Sequence, residues 1–252
     1  MDVGMKTLND RFVELAGLSD GGRVVDLGCG RGPALAAFGA RDPQAHLTGF
    51  DRSAEALKGA RGRLLNHAGT VELEAVDLGK PLPLDDEVAD VVVSSNLLEC
   101  LPDPVRLLNE TWRVLRPGGR AVFSHSDFDA LVIAGASTEL DRKIGHAFSD
   151  DAPAWMDSSD GRIGRKLPGM VQASSLVRTH VETWMTTSTE LSGHAARRVD
   201  GIRGGLLAAA RRGRGLVSTG EVEAWYDSIQ QAAEKGEFFF SEMAVVVVAG
   251  RL

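Results

Sequence analysis

An open, doubly wound parallel α/β sheet is the fold class this sequence predicts. Short apolar runs alternate with helix-like stretches from residue 23 to about 126. That is the pattern of successive βαβ units. The first run, Val24-Val25, leads into Asp26-Leu27-Gly28-Cys29-Gly30-Arg31-Gly32. A strand, a glycine-rich turn and a helix start leave bare backbone that a ligand can approach closely. Four runs end in polar or acidic residues, which gathers those groups on the sheet edge where ligands of open α/β sheets bind.

The elements follow in order. Leu8, Phe12, Val13 and Leu15-Ala16 recur at near-helical spacing and predict a short helix over 5–17. Ser19-Asp20-Gly21-Gly22 is a turn. Strands are expected at 23–28, 46–51, 71–76, 89–94 and 119–125, with helices at 33–40, 53–66 and 104–116. Pro81 to Asp86 and Pro102-Asp103-Pro104 are loops, and Pro104 suits a first helical turn. Beyond 126 the pattern loosens. Helix-like pieces occupy 127–172, and a β-branched, aromatic stretch at 176–187 predicts a strand. Helices follow at 193–215 and 220–235, with Thr219 as a cap, and a strong strand at 238–249.

Composition bounds the function. The 252 residues are 43% apolar and 25% charged, as in ordinary globular domains. A net charge of −7 argues against a nucleic-acid partner. Two cysteines, Cys29 and Cys100, with one in the glycine turn, argue against a structural disulfide and fit a reducing cytoplasm. The first residues lack a signal-peptide pattern, and no apolar run approaches ~18 residues, so no membrane segment is expected. No metal is expected. A monomer or a homodimer both fit.

Downstream residues support a nucleoside site. Asp51 ends the second run, 25 residues after Asp26. An acidic residue there can accept hydrogen bonds from both hydroxyls of a ribose. The third run ends in Asp77-Leu78, and the fourth in Ser95-Asn96-Leu97.

With DLGCGRG at 26–32, GFD at 49–51, VDL at 76–78 and VLRPGG at 114–119, the chain resembles the class I S-adenosylmethionine-dependent methyltransferases, of the ubiquinone/menaquinone-biosynthesis type. The resemblance covers residues 20 to 126 well and the last strand more loosely. It implies a Rossmann-like sheet of seven strands in order 3-2-1-4-5-7-6, the last one antiparallel, with a helical lid or cap insertion. It implies S-adenosylmethionine as cofactor, on Asp26, Gly28, Cys29, Gly30 and Gly32. Asp26 would face the α-amino group, which favours a sulfonium nucleoside over a diphosphate ligand. Asp77 would accept from the adenine amine and Leu78 would donate its N–H to the ring. Arg52 would flank the adenine or lie in solvent. Asn96 and Leu97 would lie under the sulfonium, with a plain turn as the alternative for Asn96. The guanidinium of Arg31 meets either solvent or the cofactor carboxylate.

Four segments are expected: an N-terminal helical segment at 1–19, the cofactor core at 20–126, an acceptor lid with its own strand at 127–215, and at 216–252 a helix and the last strand completing the core sheet. Methyl transfer is an in-line displacement, driven largely by alignment, so sequence specifies catalytic residues poorly. Candidates follow the fifth strand. His125 is a base or a packed histidine. Asp127 and Asp129 bind a cationic or hydroxylated acceptor, or cap a helix. His146, in the lid, is a third catalytic candidate beside His125 and Asp127; Arg162 and Arg165 belong to the lid, and Trp155 and Met156 form an apolar wall or pack locally. His180 and Trp184 are read as packing residues. Arg197, Arg198, Arg203, Arg211, Arg212 and Arg214 form either a solvated face or an anion-recognising patch.

The expected activity is methylation of a small metabolite, quinone-type or of specialised secondary metabolism. A cyclase or isomerase holding S-adenosylmethionine as scaffold is the alternative. A nicotinamide-dependent reductase is disfavoured, because Tyr226 is the only tyrosine.

Overall fold

The computed structural model describes residues 7–151, 160–213 and 215–252. The chain divides into two compact units. The first takes in the chain through His125, with Lys166–Glu182 and Val246–Leu252. The second comprises Ser126–Arg165 and Thr183–Val245.

In the first unit five strands run parallel: β1 (Arg23–Leu27), β2 (His46–Asp51), β3 (Val71–Ala75), β4 (Ala89–Ser95) and β5 (Leu115–Ser126). β1 is central. Val24 lies between Leu47 and Val91, and Leu27 between Phe50 and Ser94. Val24, Val25, Leu27, Val92 and Val93 are fully buried, as expected of strands covered on both faces. The helices α1 (Leu8–Ala16), α2 (Pro33–Arg41), α3 (Ala54–Arg63) and α4 (Pro104–Val114) start where local chemistry dictates. Thr7 and Asp10 form a capping box on α1, Ser53 caps α3, and Asp103 caps α4 ahead of Pro104. α2 starts from Gly32 at φ +70° with Pro33 in its first turn.

The second unit is largely helical. It holds α5 (Thr138–Asp150), α7 (Gly193–Arg211) and α8 (Thr219–Lys235), and α6 (Ile163–Gln172) starts within it. Its core gathers Ile144, Val199, Ile202, Val222, Trp225, Ile229, Phe238 and Phe240. Ser218, not Thr219, is the cap of α8, and it forms a capping box with Glu221. The sequence grouping placed α8 with the core sheet. Here its apolar face is buried against α5 and α7.

With β6 (Val132–Ala134), β7 (Val177–Ser188) and β8 (Phe239–Gly250) added, the sheet order is β3-β2-β1-β4-β5-β8-β6, and β7 also pairs with β8. The expected order is present, with an eighth strand added. β6 is three residues long and pairs antiparallel with Phe239–Ser241. It is too short to show a period, which is why the sequence hid it. β5 starts at Leu115, not near 119, and its register against β4 shifts between Ala89 and Val91.

Candidate functional site

The glycine turn is fastened by main chain. The Gly28 and Cys29 amides both donate to the Phe50 carbonyl, at 2.8 and 2.9 Å, and Gly32 N–H donates to the Cys29 carbonyl at 2.9 Å. Gly28, Gly30 and Gly32 all have positive φ, at +75°, +53° and +70°, a region that favours glycine. At Gly28 a Cβ would also lie 3.1 Å from Leu97 Cδ1, whereas one at Gly30 would meet nothing within 4 Å. The turn is therefore tight on one side and open on the other.

Two carboxylates stand at the turn. Asp51 accepts the Gly30 N–H at 2.9 Å on Oδ2 and the Ser53 N–H at 2.8 Å on Oδ1. Asp26 is only 4% exposed. Its strand position lies between Gly49 and Val93. No hydrogen-bond donor among the described residues reaches its side chain. Burial, then the charge of Asp51, pushes its pKa up to about 7. The same burial, with Asp26 and Asp51 nearby, pushes the Cys29 thiol up to about 12, so it is an inert filler at neutral pH. Arg31 turns to Glu55 at 3.0 Å, on the surface.

At the next strand ends, Asp77 is exposed and accepts the Gly79 N–H at 3.0 Å. Leu78 is buried, and its carbonyl accepts from Arg106 at 3.0 Å. Asn96 has φ +50°, a left-handed conformation that asparagine tolerates, and its N–H donates to the Ser124 carbonyl at 3.0 Å. Arg52 is exposed. His125 is fully buried, with Nε2 3.9 Å from Glu99 Oε1.

A family model described as a methyltransferase domain matches residues 18–191. The chain belongs to the class I S-adenosylmethionine-dependent methyltransferases. Over 236 residues it is 33% identical to an uncharacterized 37.1 kDa protein of transposon Tn4556 from Streptomyces fradiae, covering 91% of this chain but 62% of that protein. It is 32% identical to the trans-aconitate 2-methyltransferase of an Azoarcus species, over 74% of this chain and 69% of that one. The solved structure of the BH2331 protein of Bacillus halodurans C-125 shares the fold at a TM-score of 0.63, with 16% identity, covering 98% of this chain and 99% of that one.

In the second unit of this family member, Asp127 is fully buried and both its oxygens are bound by Arg165, Nε at 2.6 Å and a terminal nitrogen at 2.7 Å. The Arg165 amide adds a third bond at 3.1 Å. Asp129 meets Arg165 at 3.1 Å and Arg162 at 3.2 Å, and Arg162 also meets Asp150 at 2.8 Å. His146 is exposed on α5. Trp155, Met156 and Arg214 lie outside the described residues. His180, read as packing, is instead half-exposed and bonded to Glu182 at 2.9 Å, because β7 is uncovered on both faces from Val177 to Val181.

The arginine-rich helix is partly neutralised. Arg203 pairs with Glu223 at 2.7 Å and stacks over Tyr226. Arg198 pairs with the buried Glu242 at 2.6 Å, and His194 reaches the same carboxylate at 2.7 Å. Burial would raise the Glu242 pKa, but His194 and Arg198 outweigh it and hold it down at about 2. Sequence reasoning missed this cluster. Its signal was there: one glutamate inside the apolar strand Phe238 to Ala249.

Proposed function

We propose that the chain transfers a methyl group from S-adenosylmethionine to a small organic acceptor, a quinone-type or specialised metabolite. The observation that carries this reading is Asp26: a buried carboxyl with no donor among the described residues, beside a turn with open space over Gly30. A buried charge needs a partner, and an α-ammonium group is one. The residues present fit the cofactor.

When bound, the cofactor supplies an electrophilic methyl group on a sulfonium. Asp26 holds the amino group, and that contact draws its pKa back down. Asp51 already orders the turn through Gly30, and its remaining lone pairs take the ribose hydroxyls. The Leu78 N–H, which has no acceptor among the described residues, and Asp77 address the adenine edge. Leu97, packed on Gly28, closes the turn on the side away from the open space. Alignment then does most of the work. With both oxygens bound to Arg165, Asp127 serves to position that arginine. The name of the Azoarcus relative supports a small metabolite as acceptor.

Calorimetry with S-adenosylmethionine and its demethylated product tests the cofactor assignment, and we expect micromolar binding of both. Absence of heat with either, on folded protein, overturns it. Incubation with metabolite extracts should then yield a product heavier by one methylene unit. A product of unchanged mass would instead favour a cyclase or isomerase.

A further inference from the structure

α5 turns Ile144 and Ala147 into the helical core, with Leu140 and Phe148 packed beside them. Its other face is polar, with Thr138, Asp141, Arg142, Gly145 and His146 at positions i, i+3, i+4, i+7 and i+8. These five line a cleft of about 400 Å³ that also takes in the apolar Phe128, Leu131, Val132 and Ile133. Val132 is 52% exposed there.

Charge and space in the cleft point the same way. Asp141 is engaged by Trp225 Nε1 at 3.0 Å and by the Gly135 and Ala136 amides at 3.3 Å. Asp129, also in the lining, is neutralised by Arg162 and Arg165. Arg142 and His146 have no ion-pair or hydrogen-bond partner among the described residues. They stand one helical turn apart, so both side chains can reach one ligand. Gly145 lies between them in sequence, and a Cβ there would meet nothing within 4 Å. A glycine inside a helix costs about 1 kcal/mol relative to alanine, and no neighbour requires its smallness.

We propose that this cleft is a binding site for an amphipathic oxyanion: a carboxylate or phosphate held by Arg142 and His146, with an apolar body laid against Leu131, Val132 and Ile133. Guanidinium binds both oxyanions in a fork geometry. Gly145 keeps the floor open for the body of the ligand.

The test is titration of the full chain with decanoate, decyl phosphate, decyl maltoside and decyltrimethylammonium, read by calorimetry. One of the two anions should bind saturably at one site, at least tenfold more tightly than the neutral and cationic amphiphiles, and the tighter of them identifies the headgroup. Arg142→Gln should weaken that binding five- to tenfold, and Gly145→Leu should abolish it. Gly145→Ala should raise the folding equilibrium constant, about fivefold for a helix interior, while weakening the ligand. That combination separates a site from a packing role. Absence of saturable binding by either anion, equal binding of anionic and neutral chains, or unaltered binding in folded Arg142→Gln and Gly145→Leu would overturn the proposal. The titration reads binding alone, so its outcome does not depend on methyl transfer.

Discussion

Asp26→Asn should stabilise the unliganded protein at neutral pH while removing its cofactor. The folded pKa of Asp26 is raised to about 7 against 3.8 for the free side chain. Between those values the native state holds a proton that the unfolded state has released, so stability falls as pH rises. The penalty is absent well below pH 3.8 and complete above about 7. At ~1.36 kcal/mol per pKa unit, its ceiling is about 4 kcal/mol. Asparagine keeps the shape and removes the charge. The variant's advantage should therefore grow by about 2.5 kcal/mol between pH 5 and pH 8. Urea unfolding of both proteins at the two pH values measures it, and calorimetry with S-adenosylmethionine measures the loss of binding. An advantage that does not grow with pH would show that Asp26 is not a buried, unpaired carboxylate. A variant that still binds like the parent would remove it from the cofactor site.

Asp51→Ala should weaken cofactor binding more than Asp77→Ala by calorimetry, because Asp51 also orders the turn through Gly30, whereas Asp77 is exposed; a charge-assisted bond is worth about 1.5–3 kcal/mol. Gly28→Ala should lower thermal stability by about 1–3 kcal/mol and lose the cofactor, because its φ is +75° and Leu97 lies 3.1 Å from the new methyl. Glu242→Gln should cost about 1.5–3 kcal/mol at pH 7 in urea unfolding, because the part-buried Arg198 loses the charge of its buried partner. Glu242 has a depressed pKa, so its contribution is present above about 4.5 and lost as pH falls through about 2, and the gap between parent and variant should close over that range. Trp225→Ala should cost about 3–5 kcal/mol, because it empties the centre of the helical core and frees Asp141.

Legibility followed the range of the interactions. The five parallel strands were readable because each is a short run carrying apolar residues between turn signals, and the sheet edge collects their ends by topology alone. The positions of Asp26, Asp51 and Asp77 at or near strand ends were readable for that reason. The pairing of Asp127 with Arg165 was not readable, since 38 positions separate partners that meet only after folding. The same holds for Arg198 and Glu242. β6 exists only because Phe239–Ser241 offers it a ladder, and α8 joins α5 and α7 because their apolar stripes match, which no local window reveals.

The place of β8 next to β5 has a consequence during synthesis. β5 is complete at Ser126, but β8 begins only at Phe239. At about 5–20 residues per second, a ribosome takes roughly 6–20 s to cover that interval. Throughout it, the segments of β1 to β5 are already made, while the β5 border, with Val122 and Phe123, lacks its ladder partner. Such a border templates pairing with other chains. Expression yield should therefore respond to translation speed and to chaperone supply more than the stability of the finished fold would suggest, and slow codons between 127 and 238 should lengthen the exposure.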